Sequence, residues 1–156
     1  MTDIFDGVEP MVTKSRINVP YAWWAGETAE RFFLALRDEK KIMGTSCPVC
    51  KKVFVPPRKV CPLCFQDDMA WVEVSSEGVL ESFTIVKRQL ASLQRKVPVV
   101  FGLIRLDGAD TSILHYIEDA GHRDMKIGMR VVAEFNEERS GSMQDITCFK
   151  ANKLKE

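Results

Sequence analysis

The sequence predicts a mainly β chain: an N-terminal helix, a rubredoxin-like metal ribbon and a five-stranded C-terminal barrel. Three observations carry this. Four of the five cysteines fall in two Cys-Pro-x-Cys pairs, the residues after them alternate with a period of two, and a helical period stands ahead of the first pair. At 156 residues the chain has room for a small module joined to one domain of ordinary size. The expected division is an arm and helix over residues 1–45, the ribbon over 46–70 and the barrel over 71–156.

The opening MTDIFDGVEP has neither a basic stretch nor an apolar one. No run approaches the roughly 18 apolar residues of a membrane span, so a cytoplasmic protein is expected. Residues 1–18 show no period and read as an arm that is ordered only when something holds it. Tyr21, Trp23 and Trp24 then crowd three large aromatics into four positions. Two readings stand side by side, packing on the chain's own core or an interface with another protein. From Thr28 to Lys41, Ala29, Phe32, Phe33 and Leu36 repeat at helical spacing. Glu30, Arg31, Arg37 and Asp38 take the other face, and Gly44 is expected to help end the helix.

Next comes CPVCKKVFVPPRKVCPLC. Cysteines two residues apart on a tight turn can face one ion, so Cys47, Cys50, Cys61 and Cys64 are the expected ligands of a tetrahedral zinc. Disulfides would suit a smaller secreted chain, and redox pairs do not come doubled at this spacing. Iron in a rubredoxin-like site is the residual alternative. Four thiolates leave no coordination position for water or substrate, so the metal is structural, able to supply on the order of 10 kcal/mol to folding.

Beyond the ribbon, strands are expected near Trp71–Val74, Val79–Lys87, Val99–Leu106, Ser112–Glu118, Val131–Asn136 and Ile146–Phe149, each rich in β-branched and aromatic residues. Turn-forming stretches separate them, and no helix is long enough to cross over. That favours a small antiparallel barrel of the OB type, with a sandwich as the alternative. Cys148 reads as a buried, inert thiol.

The search for a catalytic set is short. His115 lies in a strand and His122 in a polar loop, and neither has a nucleophile beside it. Glu118, Asp119 and Asp124 read as a solvated turn. No phosphate-binding glycine motif occurs. The densest basic stretch, KRQLASLQRK, carries Lys87, Arg88, Arg95 and Lys96 between the first two barrel strands. It is either a solvated loop or an anion contact, to a nucleic-acid backbone or to coenzyme A phosphates. Basic and acidic residues balance at 22 each, so no global field favours a polyanion. The barrel aromatics Phe83, Phe101, Tyr116, Phe135 and Phe149 are scattered and mostly fit core positions, a poor stacking platform. A chain of zero net charge that is 46% hydrophobic is prone to associate, which favours a protein partner.

The run FFLALRD, the cysteine block with Pro56-Pro57-Arg58, EGVLESFTIVKR and KIGMRVVAEF together resemble the thiolase-associated zinc-ribbon/OB-fold proteins over roughly residues 20–150. The resemblance implies a non-catalytic subunit, bound to a thiolase-like enzyme in a heteromeric complex that handles acyl-CoA thioesters. On that reading zinc stabilises a ribbon that meets the partner or its ligand. Tyr21, Trp23, Trp24, Phe32 and Phe33 would anchor the partner, and Arg58 with Lys87, Arg88, Arg95 and Lys96 would hold coenzyme A. Lys51 and Phe65 depart from the pattern, standing where glycine often follows the second cysteine of a pair. A single-stranded nucleic-acid-binding module is the competing class, disfavoured by net charge. A stand-alone acyl-CoA enzyme lacks a nucleophile and a base.

Overall fold

The computed structural model describes residues 7–9, 11–12, 19–89, 91, 93, 95–118 and 125–152. Most of the expected arm, His122, and Asp119 and Asp124 of the acidic turn lie outside the described residues. Helix α1 (Glu27–Leu34) runs on through a single π-helical turn, Ala35–Glu39. Strands β1 (Ile42–Ser46), β2 (Val53–Phe54) and β3 (Ala70–Val74) make a three-stranded antiparallel sheet in the order β2-β1-β3. Strands β4 (Glu77–Val86), β5 (Val99–Leu106), β6 (Ser112–Glu118), β7 (Arg130–Phe135) and β8 (Ile146–Ala151) close a barrel in the order β4-β5-β6-β8-β7. Among the described residues, only the β6–β8 pair is parallel. Five strands closed in this way are an OB barrel, so the sandwich alternative falls.

Strand β3 pairs with β1 from Ile42↔Val74 to Ser46↔Ala70. The stretch Trp71–Val74, read from sequence with the barrel strands, therefore completes the ribbon sheet. Its alternation looks the same in either sheet, because a period of two records a half-buried face and not the neighbour that buries it.

The helix does not end at Gly44. It ends where Lys40 turns left-handed (φ 55°) and donates its N–H to the Ala35 carbonyl. From the β7–β8 loop, Arg139 Nε donates to the Arg37 carbonyl at 2.6 Å, satisfying an acceptor the helix end leaves open. Gly44 sits instead inside β1. A Cβ there would lie 2.9 Å from the Phe54 carbonyl oxygen and 2.9 Å from Val55 Cγ2, so glycine serves close strand packing.

One hydrophobic core joins all the parts. Phe32 and Leu36 from the helix meet Ile42, Val55 and Val74 from the ribbon sheet, and Leu80, Ile104, Val131 and Phe149 from the barrel. Hydrogen bonds tie the ribbon to the β5–β6 turn: Val53 N donates to Asp110 Oδ2 (2.8 Å), Asp110 N to the Val53 carbonyl (2.9 Å), and Val55 N to Thr111 Oγ1 (2.8 Å). The ribbon is thus held on the barrel end that carries the start of β4 and the end of β5. Among the described residues, no helix is long and apolar enough to cross a membrane.

Candidate metal centre and its surroundings

Each cysteine pair sits on a turn closed by its own backbone. Lys51 N donates to the Cys47 carbonyl and Phe65 N to the Cys61 carbonyl, both at 2.9 Å. In return Cys47 N donates to the Lys52 carbonyl (3.0 Å) and Cys61 N to the Gln66 carbonyl (2.8 Å). This geometry requires the residue after the second cysteine to be left-handed. Lys51 (φ 61°) and Phe65 (φ 55°) both adopt that backbone although neither is glycine. The departure seen in sequence is therefore absorbed as local strain, and the two turns keep their shape.

The four sulfurs lie within 4.8 Å of one another, and Cys50 Sγ is 3.7 Å from Cys61 Sγ. Thiolates about 2.3 Å from a tetrahedral zinc stand about 3.8 Å apart. The donor set thus fits the cysteine cluster to a structural Zn2+. Cys47 and Cys61 are wholly buried and pack with Phe54 and Met69 in a small core of their own, separate from the main one. Burial opposes ionisation of Cys47, yet the backbone groups of Cys50 and Val49 outweigh it and bring the thiol down to about 7. Burial, with the neighbouring thiols, pushes Cys64 up to about 12. A bound cation overrides that difference, since coordination demands thiolates at all four positions.

Other expected site residues are spread over the molecule. Tyr21, Trp23 and Trp24 stand out in solvent, with Trp23 at 74% and Trp24 at 70% exposure. The Tyr21 and Trp23 rings lie 5.0 Å apart, and Trp24 Nε1 donates to Glu30 Oε2 at 3.2 Å. Of the two readings of these aromatics, packing on the chain's own core is the one the structure removes. Phe32 is the opposite case. It is 2% exposed and belongs to the main core, so it cannot anchor a partner, and Phe33 is packed against the same core. Both face inward because the helix turns its Phe32/Leu36 stripe toward the ribbon sheet and barrel.

The basic residues do not converge either. Arg58 opens on a cleft of about 270 Å³ between α1 and the ribbon, shared with Arg31, Lys59 and Trp71. The Arg31 guanidinium lies 4.5 Å from the Trp71 ring centre. Lys87, Arg88 and Lys96 are exposed at the far end of the β4–β5 ladder, which runs from Gly78↔Leu106 to Val86↔Val99, about 26 Å at strand spacing. Arg95 is engaged: it pairs with Glu118, donates to the Thr147 carbonyl at 2.6 Å and stacks 4.2 Å over Tyr116. That contact is long-range, so the clustering of charge in KRQLASLQRK could not reveal it.

The aromatics divide unexpectedly as well. Phe149 is core, and Phe83 and Phe135 pack against it, but Phe101 and Tyr116 pair across β5 and β6 at 4.7 Å. They share the barrel's outer face with the exposed pair Leu103 and Leu114. Arg105 there is held by Glu81 at 2.6 Å, as Arg95 is by Glu118. The cations beside this platform are neutralised, which leaves little there to bind phosphates.

His115 is buried with both ring nitrogens engaged. Nε2 meets the Met143 carbonyl (3.1 Å) and Nδ1 accepts from Tyr116 N (2.9 Å). Burial holds it neutral below the usual histidine range. Cys148 donates to Glu134 Oε2, and burial with that carboxylate raises its thiol to about 11. Neither group is poised as a base or nucleophile.

Two protein-family models match the chain in tandem. Residues 35–70 match the rubredoxin-like zinc ribbon domain of ChsH2, and residues 71–136 match its C-terminal OB-fold domain. A DUF35 domain-containing scaffold protein of Methanocaldococcus jannaschii is 26% identical over 101 residues, 64% of this chain and 71% of that one. A protein of the same description from Pyrococcus furiosus is 24% identical over 114 residues, 69% of this chain and 82% of that one. Among solved structures, a DUF35-family protein of unknown function from Sulfolobus solfataricus superposes with a TM-score of 0.62 at 27% identity, covering 81% of this chain and 87% of that one. The Ltp2-ChsH2(DUF35) aldolase superposes with a TM-score of 0.63 at 20% identity, covering 83% and 98%. At that identity the likeness is one of fold.

Proposed function

Because the chain belongs to the ChsH2/DUF35 family of zinc-ribbon and OB-fold proteins, we propose that it is the non-catalytic subunit of a thiolase-type acyl-CoA enzyme. In this reading it supports assembly and contributes to acyl-CoA binding. One observation carries it: the chain's built cluster of reactive side chains is a four-thiolate site whose donors fill a zinc's coordination sphere. Support comes from relatives described as scaffolds and from the aldolase in which ChsH2 accompanies Ltp2. The solvent-exposed Trp23 and Trp24 supply anchors of the residue types that dominate interface energy. Arg58, with Arg31 and Lys59 around its cleft, is the contact for coenzyme A phosphates nearest the ribbon, and Lys87, Arg88 and Lys96 form a second basic edge at the opposite end.

The aromatic N-terminal stretch resembles that of the small subunit of a thiolase acting on an aromatic acyl-CoA, such as benzoylsuccinyl-CoA thiolase, and a partner of that class is the one proposed. Cysteines reserved for a metal suit a reducing cytoplasm. Affinity purification from native extract should bring down a thiolase-like enzyme at fixed stoichiometry, with thiolysis lost when this chain is withheld. Thiolysis by the purified chain alone would refute the assignment. So would a Trp23→Ala/Trp24→Ala double variant that copurifies at full stoichiometry, for the anchor. Tight binding of single-stranded DNA or RNA at physiological salt would favour the nucleic-acid class instead.

A further inference from the structure

A second concavity, about 560 Å³, runs along α1 and its π-helical turn, between them and strands β1 and β3. Its floor is apolar, made by Leu34, Ala35 and Met43, and Leu34 is 39% exposed. Its walls are acidic. Glu27, Glu30, Asp38, Glu39 and Glu73 face only Arg31 and Lys41, three negative charges in excess. Arg37 holds Asp38 from outside at 2.8 Å, and even counting it the excess is two. Lys41 is shared between Glu39 (3.3 Å) and Glu73 (3.2 Å), which leaves each carboxylate with capacity for a further donor. One rim is continuous with the exposed aromatics, because Trp24 donates to Glu30 in the groove wall.

The local excess stands out in a chain whose formal net charge as a whole is zero. An apolar floor excludes a purely ionic occupant, and acidic walls disfavour an anionic one. We propose that this groove docks a protein segment with apolar side chains on one side and lysines or arginines on its flanks, a basic amphipathic helix of the partner. The apolar side chains cover Leu34, Ala35 and Met43. The flanking cations meet Glu27 and Glu30 at one wall and Glu39 and Glu73 at the other, while Trp23 and Trp24 close over the segment at the rim. The inference refines the partner reading by giving the chemistry of what the partner presents, and it can fail without the thiolase assignment failing.

The test uses the full zinc-loaded chain and three labelled synthetic peptides followed by fluorescence anisotropy. One is a helix-forming leucine–lysine peptide with amphipathic spacing, one is its leucine–glutamate counterpart, and one replaces every leucine of the first with glutamine. The leucine–lysine peptide is expected to bind at least about ten-fold more tightly than the other two. Leu34→Asp should abolish the preference over the glutamine-substituted peptide, and Glu27→Lys, at an exposed helix-start position, should weaken binding several-fold with circular dichroism unchanged. Equal binding by the glutamine-substituted peptide would reduce the groove to non-specific electrostatics and overturn the proposal. Unchanged binding by Leu34→Asp would do the same. A chain that sediments as a dimer, dispersed by Leu34→Asp, would make a second copy the occupant and equally overturn it.

Discussion

Replacing Lys51 and Phe65 by glycine is expected to stabilise the metal-loaded ribbon. Both residues hold a left-handed backbone, at φ 61° and 55°. That region costs a non-glycine residue roughly 1–2 kcal/mol. Glycine relieves the strain but loses more backbone entropy on folding, about 0.5–1 kcal/mol. The hydrogen bonds survive, since Lys51 N and Phe65 N are main-chain donors to Cys47 and Cys61. Little packing is lost at Phe65, which is 83% exposed. The balance is a gain of about 0.5–1 kcal/mol at each site, and the sites lie on separate turns, so the effects should nearly add. For a chain of this size about 1 kcal/mol corresponds to a rise in Tm of roughly 2–4 °C. Thermal and urea unfolding of the zinc-loaded single and double variants would measure it, with zinc content checked by elemental analysis. Loss of stability in both single variants would refute the reasoning and indicate that the side chains do more at these positions than accept strain.

Other expectations follow from the same geometry. Cys61→Ser should remove the metal and unfold the cysteine end of the ribbon around Phe54 and Met69. The Ile42/Val55/Val74 end should stay with the barrel core. Zinc content and hydrogen exchange would show the split, and a folded metal-free ribbon would contradict it. Gly44→Ala should cost about 1–3 kcal/mol, because a Cβ 2.9 Å from the Phe54 carbonyl oxygen cannot be relieved by a rotamer change; urea unfolding would read it. Arg139→Ala should cost about 0.5–1.5 kcal/mol by removing the hydrogen bond to the Arg37 carbonyl, measured the same way. His115 is held neutral by burial, so the unfolded chain takes up a proton near pH 6.5 that the folded chain refuses. Its contribution to stability should be intact above that value and fall as pH drops below it, and Tm measured against pH should fall less steeply in His115→Gln.

Local chemistry made much of the molecule legible from sequence. The paired cysteines determined the metal site, because two thiolates per turn and two turns fill a tetrahedron whatever surrounds them. The period of two determined the barrel strands, and the spacing of Phe32, Phe33 and Leu36 determined the helix, within a residue at its start. What neighbours each element was beyond its reach. Trp71–Val74 reads as a half-buried strand in any sheet, and only long-range pairing put it beside β1. Phe32 and Trp23 are equally aromatic, and only packing buries one and exposes the other. Lys87 to Lys96 reads as one basic cluster, yet Arg95 is withdrawn by Glu118 and Thr147, which lie 23 and 52 residues further along the chain. Arg58 and the basic loop look like parts of one anion site until the ladder of β4 and β5 sets them at opposite ends of the barrel. The acidic groove adds Glu73, distant in sequence, to Glu27, Glu30, Asp38 and Glu39 of the helical segment, and only the fold sets these carboxylates around one concavity. Backbone preference and ligand geometry act over a few residues and can be read from a string, whereas burial and electrostatic pairing depend on which surfaces the closed fold brings together.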